Sequence, residues 1–202
     1  DKKITVTEEG TWDIYIKVID PAGNSTITGP ITIMVDRSGP EIIFNGLIPD
    51  EWQKGNRFTV SATDAISGPK QIAYWFSYDN TKQYIDVAAI HSEINGEGKV
   101  VHYTDNSVGI PDGEFDIFAQ AADRMDNLGD VASIHVKIDT ADPILQFAPD
   151  ANEQNTAFAI ELIASDKLSD NAVTDNASGV DRIVYSIRNN TAEIQEEYNE
   201  PI

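Results

Sequence analysis

Acidic and amide side chains are the part of this sequence best equipped for chemistry. Asp and Glu number 34 against 14 Lys and Arg, a formal net charge of −20. The densest run is Asp166-Lys-Leu-Ser-Asp170-Asn171-Ala-Val-Thr-Asp175-Asn176-Ala-Ser-Gly-Val-Asp181. A hard divalent cation such as Ca2+ takes roughly six to eight oxygen ligands from carboxylates, amides and carbonyls. Asp166, Asp170, Asp175 and Asp181 offer such oxygens within one loop, without the glycine and glutamate spacing of an EF-hand. A second set lies in Val35-Asp36-Arg-Ser-Gly-Pro40 and Ile138-Asp139-Thr-Ala-Asp142-Pro143. There Asp36, or Asp139 with Asp142, could meet the turn acids Asp20 or Asp123, or Asp64 and Asp166. Asp and Asn that cap turns with their own side chains account for the same residues without a metal. A structural Ca2+ is thus one expectation and self-capped turns are the other; no cofactor is required.

Aromatic residues offer a second chemistry. Trp75, Tyr78 and Tyr84 lie close in sequence, and a planar row of such rings stacks on sugars. The same rings also serve as core and loop anchors in a sheet protein. Trp75 interrupts the set Ile72, Tyr74 and Phe76, so it should face solvent. Catalysis finds no comparable foothold. The three histidines, His91, His102 and His135, lack metal-ligand spacing, and no phosphate-binding glycine loop or nucleophile elbow occurs. In a chain with so many acids a carboxylate pair carries no information. The expectation is a protein that is not an enzyme.

The elements that must position these residues repeat. Gly10-Thr-Trp-Asp-Ile-Tyr-Ile-Lys-Val-Ile-Asp-Pro-Ala-Gly-Asn24 matches Gly113-Glu-Phe-Asp-Ile-Phe-Ala-Gln-Ala-Ala-Asp-Arg-Met-Asp-Asn127 without a gap at an offset of 103 residues. The register continues: Ile31, Ile33 and Val35 match Ile134, Val136 and Ile138, Asp36 matches Asp139, and Pro40 matches Pro143. Phe58-Thr-Val60-Ser-Ala62-Thr-Asp64 likewise resembles Ile160-Glu-Leu162-Ile-Ala164-Ser-Asp166. Each is followed by Ser-Gly (Ser67-Gly68, Ser178-Gly179) and then by Ile-x-Tyr (Ile72 to Tyr74, Ile183 to Tyr185). Residues 38–140 therefore make a complete unit, 1–37 the back half of one, and 141–202 the front half of another. The two halves total 99 residues, close to one period. They fit a longer array, which is the preferred reading, or head-to-tail completion between chains.

Within a unit the apolar residues alternate, the period-2 mark of strands with one buried face. Phe115, Ile117, Ala119 and Ala121 share one side, as do Trp12, Ile14, Ile16 and Val18. Phe58, Val60 and Ala62 make a further strand. Only Tyr84–Ile94 suggests a helix, with Ile85, Ala88, Ala89 and Ile94 sharing a face. Asp20-Pro-Ala-Gly-Asn24 is a turn with a glycine able to take positive φ, and Asp126-Asn127 replaces it in the second copy. Prolines 40 and 143 hold the chain extended between units and cannot donate to a ladder.

The order strand, D-x-A-G-N, strand, V-D-x-x-x-P, preceded by A-x-D, S-G and Ile-x-Tyr, resembles the bacterial immunoglobulin-like, fibronectin-III-like repeats of secreted and cell-surface proteins. The resemblance spans essentially the whole chain. It implies an all-β fold of tandem immunoglobulin-like β-sandwich units joined end to end by short proline-containing linkers. It implies an extracellular or cell-surface location and neighbouring units as partners, with cell-wall glycan or a host surface as further candidates. The function it implies is a non-catalytic spacer or stalk of an adhesin-type or cell-wall-associated protein. The alternative is a carbohydrate- or protein-binding accessory module of an exported polysaccharide-degrading enzyme.

Charge and composition narrow the partners. A net charge of −20 repels phosphate backbones and anionic lipids, so nucleic acid and membrane surfaces are poor candidates. No apolar run approaches the ~20 residues of a membrane helix. The absence of cysteine removes disulfides, thiolate metal sites and a cysteine nucleophile.

Overall fold

A computed structural model describes residues 3–86, 90–94, 100–104, 107–148, 161–188 and 193–198. It is all-β: the described residues form strands, turns and extended segments and no helix. By contacts the chain resolves into two compact bodies. One comprises Asp1–Leu47, Arg57–Val108 and Asp116–Ile134; the other comprises Ile48–Asn56, Gly109–Phe115 and His135–Ile202.

The first body is organised around β5 (Arg57–Thr63) and β6 (Pro69–Phe76). Strand β5 pairs antiparallel with β3 (Glu41–Asn45) and with β9 (Val100–Thr104), β9 pairs with β8 (Ile90–Ile94), and the short β10 (Val108–Gly109) also lies beside β5. Strand β6 pairs with β7 (Asp79–Asp86) on one side and with β11 (Gly113–Asp123) on the other. The alternation seen in the sequence places Phe58, Val60 and Ala62 of β5 and Ile72 of β6 in the core, with Ile117, Ala119 and Ala121 of β11. Phe58 meets Tyr74 edge-on at 5.9 Å, so the β5 and β6 sheets face one another across that core. Burial alternates residue by residue along β11, as a strand with one buried face requires. Ile117 is fully buried. Ile117→Ala is expected to lower the unfolding free energy by about 3 kcal/mol, measured by denaturant titration, because the cavity adds to the lost transfer energy.

The expected helix at 84–94 is corrected. Tyr84 and Ile85 belong to β7, with Ile85 opposite Ile72, and Ile90–Ile94 is β8; residues 87–89 lie outside the described residues. Cross-strand burial of Ile85, 5% exposed, overrides the weak helical spacing, and a helix this short has little stability of its own.

The first body also holds a hairpin of β1 (Gly10–Ile19) and β2 (Ser25–Val35), a two-stranded sheet. Its register runs from Gly10 opposite Val35 to Ile19 opposite Ser25. These strands match β11 and β12 in sequence, yet their burial differs. Ile16 is 37% and Val18 66% exposed, where the equivalent Ala119 and Ala121 are at 0%.

The second body contains the remainder of β11, the end of β12 (Ala132–Ile138) and the short β4 (Trp52–Gln53), which runs parallel to β12. Val136 and Ile138 are fully buried, and the ladder continues past the strand as Asp139 N donates to the Gln53 carbonyl at 3.1 Å. Two further hairpins follow. Strand β13 (Ile144–Ala148) pairs with β14 (Glu161–Ser165), and β15 (Ile183–Arg188) pairs with β16 (Glu193–Tyr198).

Candidate metal centre

Three strand ends in the first body bring Asp36, Asp64 and Asp123 together. Asp36 follows β2, Asp64 follows β5 and Asp123 closes β11. One carboxylate oxygen from each lies within 4.8 Å of the others. Asp123 is fully buried and Asp36 is 9% exposed, in a chain where most acids face water.

Each carboxylate is held by its own turn. Asp123 Oδ1 accepts from Met125 N at 2.8 Å and Asn127 N at 2.7 Å, and Oδ2 accepts from Asn127 Nδ2 at 2.8 Å. Burial pushes this carboxyl up, but the hydrogen bonds from Asn127 and Met125 together prevail and leave it below the usual carboxylate range. Asp126 takes φ +67° in this turn, where the earlier copy has Gly23 at +90°, so aspartate does serve in the left-handed position. Asp64 Oδ1 accepts from Ile66 N at 3.1 Å and Gly68 N at 2.6 Å. Asp36 Oδ2 accepts from Ser67 N at 2.9 Å. Its other oxygen, Oδ1, is shut off from solvent and has no hydrogen-bond partner.

The electrostatics favour a cation. At 4.8 Å and an effective dielectric of about 20, each pair of carboxylates repels by about 3 kcal/mol. Peptide N–H groups offset part of this, yet no Lys or Arg ion pair to the three is present among the described residues. A cation at the centre reverses the sign of all three terms and gives Asp36 Oδ1 the partner that a buried anionic oxygen needs. The donors are oxygen only, which suits a hard ion and not a thiolate- or imidazole-seeking one. Oxygens bound at about 2.4 Å to one Ca2+ are at most about 4.8 Å apart, a span the three carboxylates meet.

The second body repeats part of this arrangement. Asp139 Oδ2 accepts from Ser178 N at 2.9 Å, as Asp36 does from Ser67, and Asp166 Oδ2 accepts from Gly179 N at 2.8 Å, as Asp64 does from Gly68. Asp139 Oδ1 is satisfied by Ala141 N at 3.1 Å. Asp166 Oδ1, like Asp36 Oδ1, is hidden and without a partner. Asp139, Asp166 and Ser178 line a shallow cleft of about 230 Å³ with Trp52, Lys54 and Pro143.

The other expected ligands are dispersed. Asp142, Asp170, Asp175 and Asp181 are exposed. Among the described residues, the only group of three metal-ligating side chains is Asp36, Asp64 and Asp123. The 166–181 loop instead packs on the turn before β11: Val173 N donates to the Asp112 carbonyl at 2.9 Å, and Glu114 N donates to Thr174 Oγ1 at 3.0 Å.

Asp112 reads in the sequence only as part of an Asp-Gly turn, yet it is 3% exposed and accepts from Thr140 Oγ1 at 2.9 Å and Ser169 N at 3.2 Å. Its counterpart one repeat earlier is Glu9, which accepts from Arg37 N at 2.7 Å and Ser38 Oγ at 2.8 Å. The acid before the glycine thus holds the segment that follows β2 in one copy and β12 in the other. Extending the repeat by one residue, from Gly10 and Gly113 to Glu9 and Asp112, exposes the signal. Burial pushes the Asp112 carboxyl up, and the hydrogen bonds from Ser169 and Thr140 overcome it, leaving the group below its ordinary value. A carboxyl whose folded pKa is depressed stabilises above its unfolded pKa of about 4 and loses that contribution as pH falls through the folded value. Asp112→Asn is therefore expected to flatten the decline of the unfolding midpoint below about pH 4. An unchanged acid limb in thermal scans would remove Asp112 from that role.

The aromatic candidates do not share a platform. Trp75 stacks on Phe118 at 5.6 Å, and Lys82 Nζ lies 4.6 Å from its ring centroid, so the indole has neighbours already. Tyr78 stacks instead on Phe76 at 5.1 Å, in a chain of rings that runs through Tyr74 to Phe58. Tyr84 is 62% exposed on β7. His135 Nε2 lies 3.2 Å from Glu114, which also takes Lys137 at 3.3 Å, so it belongs to a polar cluster around that carboxylate.

Compared with known proteins, the chain matches no family model and no curated sequence.

Proposed function

We propose that the chain is a non-catalytic structural spacer, made of tandem immunoglobulin-like sandwich units, in which a calcium ion pins each unit junction. The observation that carries this reading is the buried Asp36, Asp64 and Asp123 group with its unpartnered Asp36 oxygen. Asp36 closes the last strand of one repeat, while Asp64 and Asp123 belong to the next. A bound ion ties a linker to the unit that follows it. This is what a surface-exposed array needs from its joints. The internal repeat, the all-β fold and the acidic surface support the same assignment, including an extracellular setting where millimolar calcium is available. Neighbouring units are the partners.

The proposal is tested by thermal unfolding under calcium titration after exhaustive chelation. An ion that binds only the folded state stabilises it by about 2.7 kcal/mol at a hundredfold excess over Kd. The midpoint should climb with calcium and return to the starting value with chelator. A midpoint indifferent to calcium up to several millimolar would refute the pinned junction. Binding of glycans, with Trp75→Ala as control, addresses the accessory-module alternative.

A further inference from the structure

We propose that the hydroxyl of Ser67 is a further oxygen ligand of the cation at Asp36, Asp64 and Asp123. The inference rests on the calcium reading of that group and adds a neutral donor to its three charges. The loop between β5 and β6 that carries Ser67 touches all three acids. Ile66 N at 3.1 Å and Gly68 N at 2.6 Å both donate to Asp64 Oδ1. Between them, Ser67 N donates to Asp36 Oδ2 at 2.9 Å. The Gly68 carbonyl accepts from Arg124 N at 3.1 Å, and Pro69 stands opposite Asp123 in the β6–β11 register. A few consecutive residues thus hold three carboxylates that are far apart along the chain. Ser67 is at their centre and is only 8% exposed.

The hydroxyl has no use in this place without an ion. Ser67 Oγ is shut off from solvent and has no hydrogen-bond partner. It faces Asp123, close enough to act on that carboxyl but outside hydrogen-bond geometry. A buried hydroxyl left unpaired lowers stability, so native structures rarely keep one without a reason. Among the described residues of the first body, the other hidden and unpartnered side-chain oxygen is Asp36 Oδ1, on the residue that Ser67 N already grips. One cation accounts for both. A hydroxyl oxygen has two lone pairs and a rotatable proton, so it can ligate an ion while its O–H turns to Asp123. Oxygen of either charge suits a hard ion, and solvent completes the roughly six to eight ligands that Ca2+ takes.

The repeat shows how the same serine behaves when the group of three is incomplete. Ser178 takes the place of Ser67 in the second body, and its N donates to Asp139 Oδ2 at 2.9 Å. Its Oγ, however, donates to Asp166 Oδ2 at 3.0 Å. Among the described residues no third acid joins Asp139 and Asp166. There the hydroxyl is spent on its own turn. Where the third acid is present, it is left open.

The test exploits the absence of cysteine from the chain. In Ser67→Cys the hard oxygen becomes a sulfur that prefers soft ions, and it is the protein's sole thiol. This variant should bind calcium more weakly than the native protein and cadmium more tightly, with an ultraviolet thiolate-to-cadmium charge-transfer band. Ser61→Cys is the control: Ser61 is also buried, at 5% exposed, but its Oγ accepts from Asn45 Nδ2 at 2.8 Å. It should give no band. Ser67→Ala should weaken calcium binding by about tenfold in calorimetric titration, the scale of losing a group that supports a bound ion. In chelator its unfolding midpoint should equal or exceed the native one, because an unpaired buried hydroxyl has gone. A serine with only a structural role would lower the midpoint in both buffers. If the native protein binds calcium while Ser67→Ala binds it equally well, or Ser67→Cys shows no cadmium band, Ser67 is not a ligand and the three carboxylates stand alone. A native protein that binds no calcium overturns both readings.

Discussion

Asp123→Ala should cost about 4 kcal/mol of unfolding free energy in calcium-containing buffer and abolish the response of the midpoint to calcium. The side chain is fully buried and accepts three hydrogen bonds, from Met125 N, Asn127 N and Asn127 Nδ2. Truncation leaves those donors without an acceptor, at about 1–3 kcal/mol for each that water cannot reach. It also removes one of the three ligands proposed for the ion. In chelator the loss should shrink, because deleting one charge relieves repulsion on Asp36 and Asp64. Calcium-dependent and calcium-independent parts of the effect are thus separable in one denaturant series. A loss of equal size in both buffers would make Asp123 a turn residue only.

The second large effect concerns the segment between β2 and β3 and has no electrostatic content. Gly39-Pro40 crosses Leu128-Gly129 so closely that a Cβ on Gly129 would stand 1.9 Å from the Pro40 carbonyl oxygen, and one on Gly39 would stand 2.2 Å from Gly129 N. Both obstacles are backbone, so no side-chain rotation relieves them. Pro40 is itself fully buried, which stops this segment from swinging away. Gly129→Ala is expected to cost about 3 kcal/mol or more, at the upper end of overpacking. Gly55→Ala, with open space around its Cβ position, is the control and should change stability by less than about 0.5 kcal/mol. Equal midpoints for the two variants would show that the crossing yields. Since Asp36 lies just ahead of Gly39, Gly129→Ala should also weaken the proposed calcium response by shifting the segment that carries Asp36.

Much of this was legible in the sequence, and the reasons differ by residue. Alternation in β11 and β5 foretold which side of each strand is buried, because the period of two is set by backbone geometry. The repeat left two readings for the acids that recur at the same strand ends, a shared cation or self-capped turns. The structure brings Asp36, Asp64 and Asp123 together, and each also accepts from a backbone N–H. Sequence density misled where no strand end enforces convergence. Asp170, Asp175 and Asp181 are closer along the chain than Asp36 and Asp123, yet they remain exposed while the distant three meet. Ile85 misled for a related reason: its partner across the sheet, Ile72, is remote in sequence, and pairing with it decides β7. Trp75 was expected to face solvent but is half-buried, like Tyr74 and Phe76 beside it, because Phe118 of the distant β11 stacks on it. Asp112 was hidden because its partners, Thr140 and Ser169, are far along the chain.

The central claim is that a calcium ion balances the buried carboxylates at the junction, and Asp36→Asn tests it most directly. The amide preserves shape and can keep an acceptor toward Ser67 N while removing one negative charge. Thermal midpoints of the native protein and Asp36→Asn are compared in chelator and in calcium. The account predicts a crossing: the variant is the more stable protein in chelator, because repulsion is relieved, and the less stable one in calcium, because a ligand is lost. Parallel behaviour, with both proteins rising equally or neither rising at all, would contradict it.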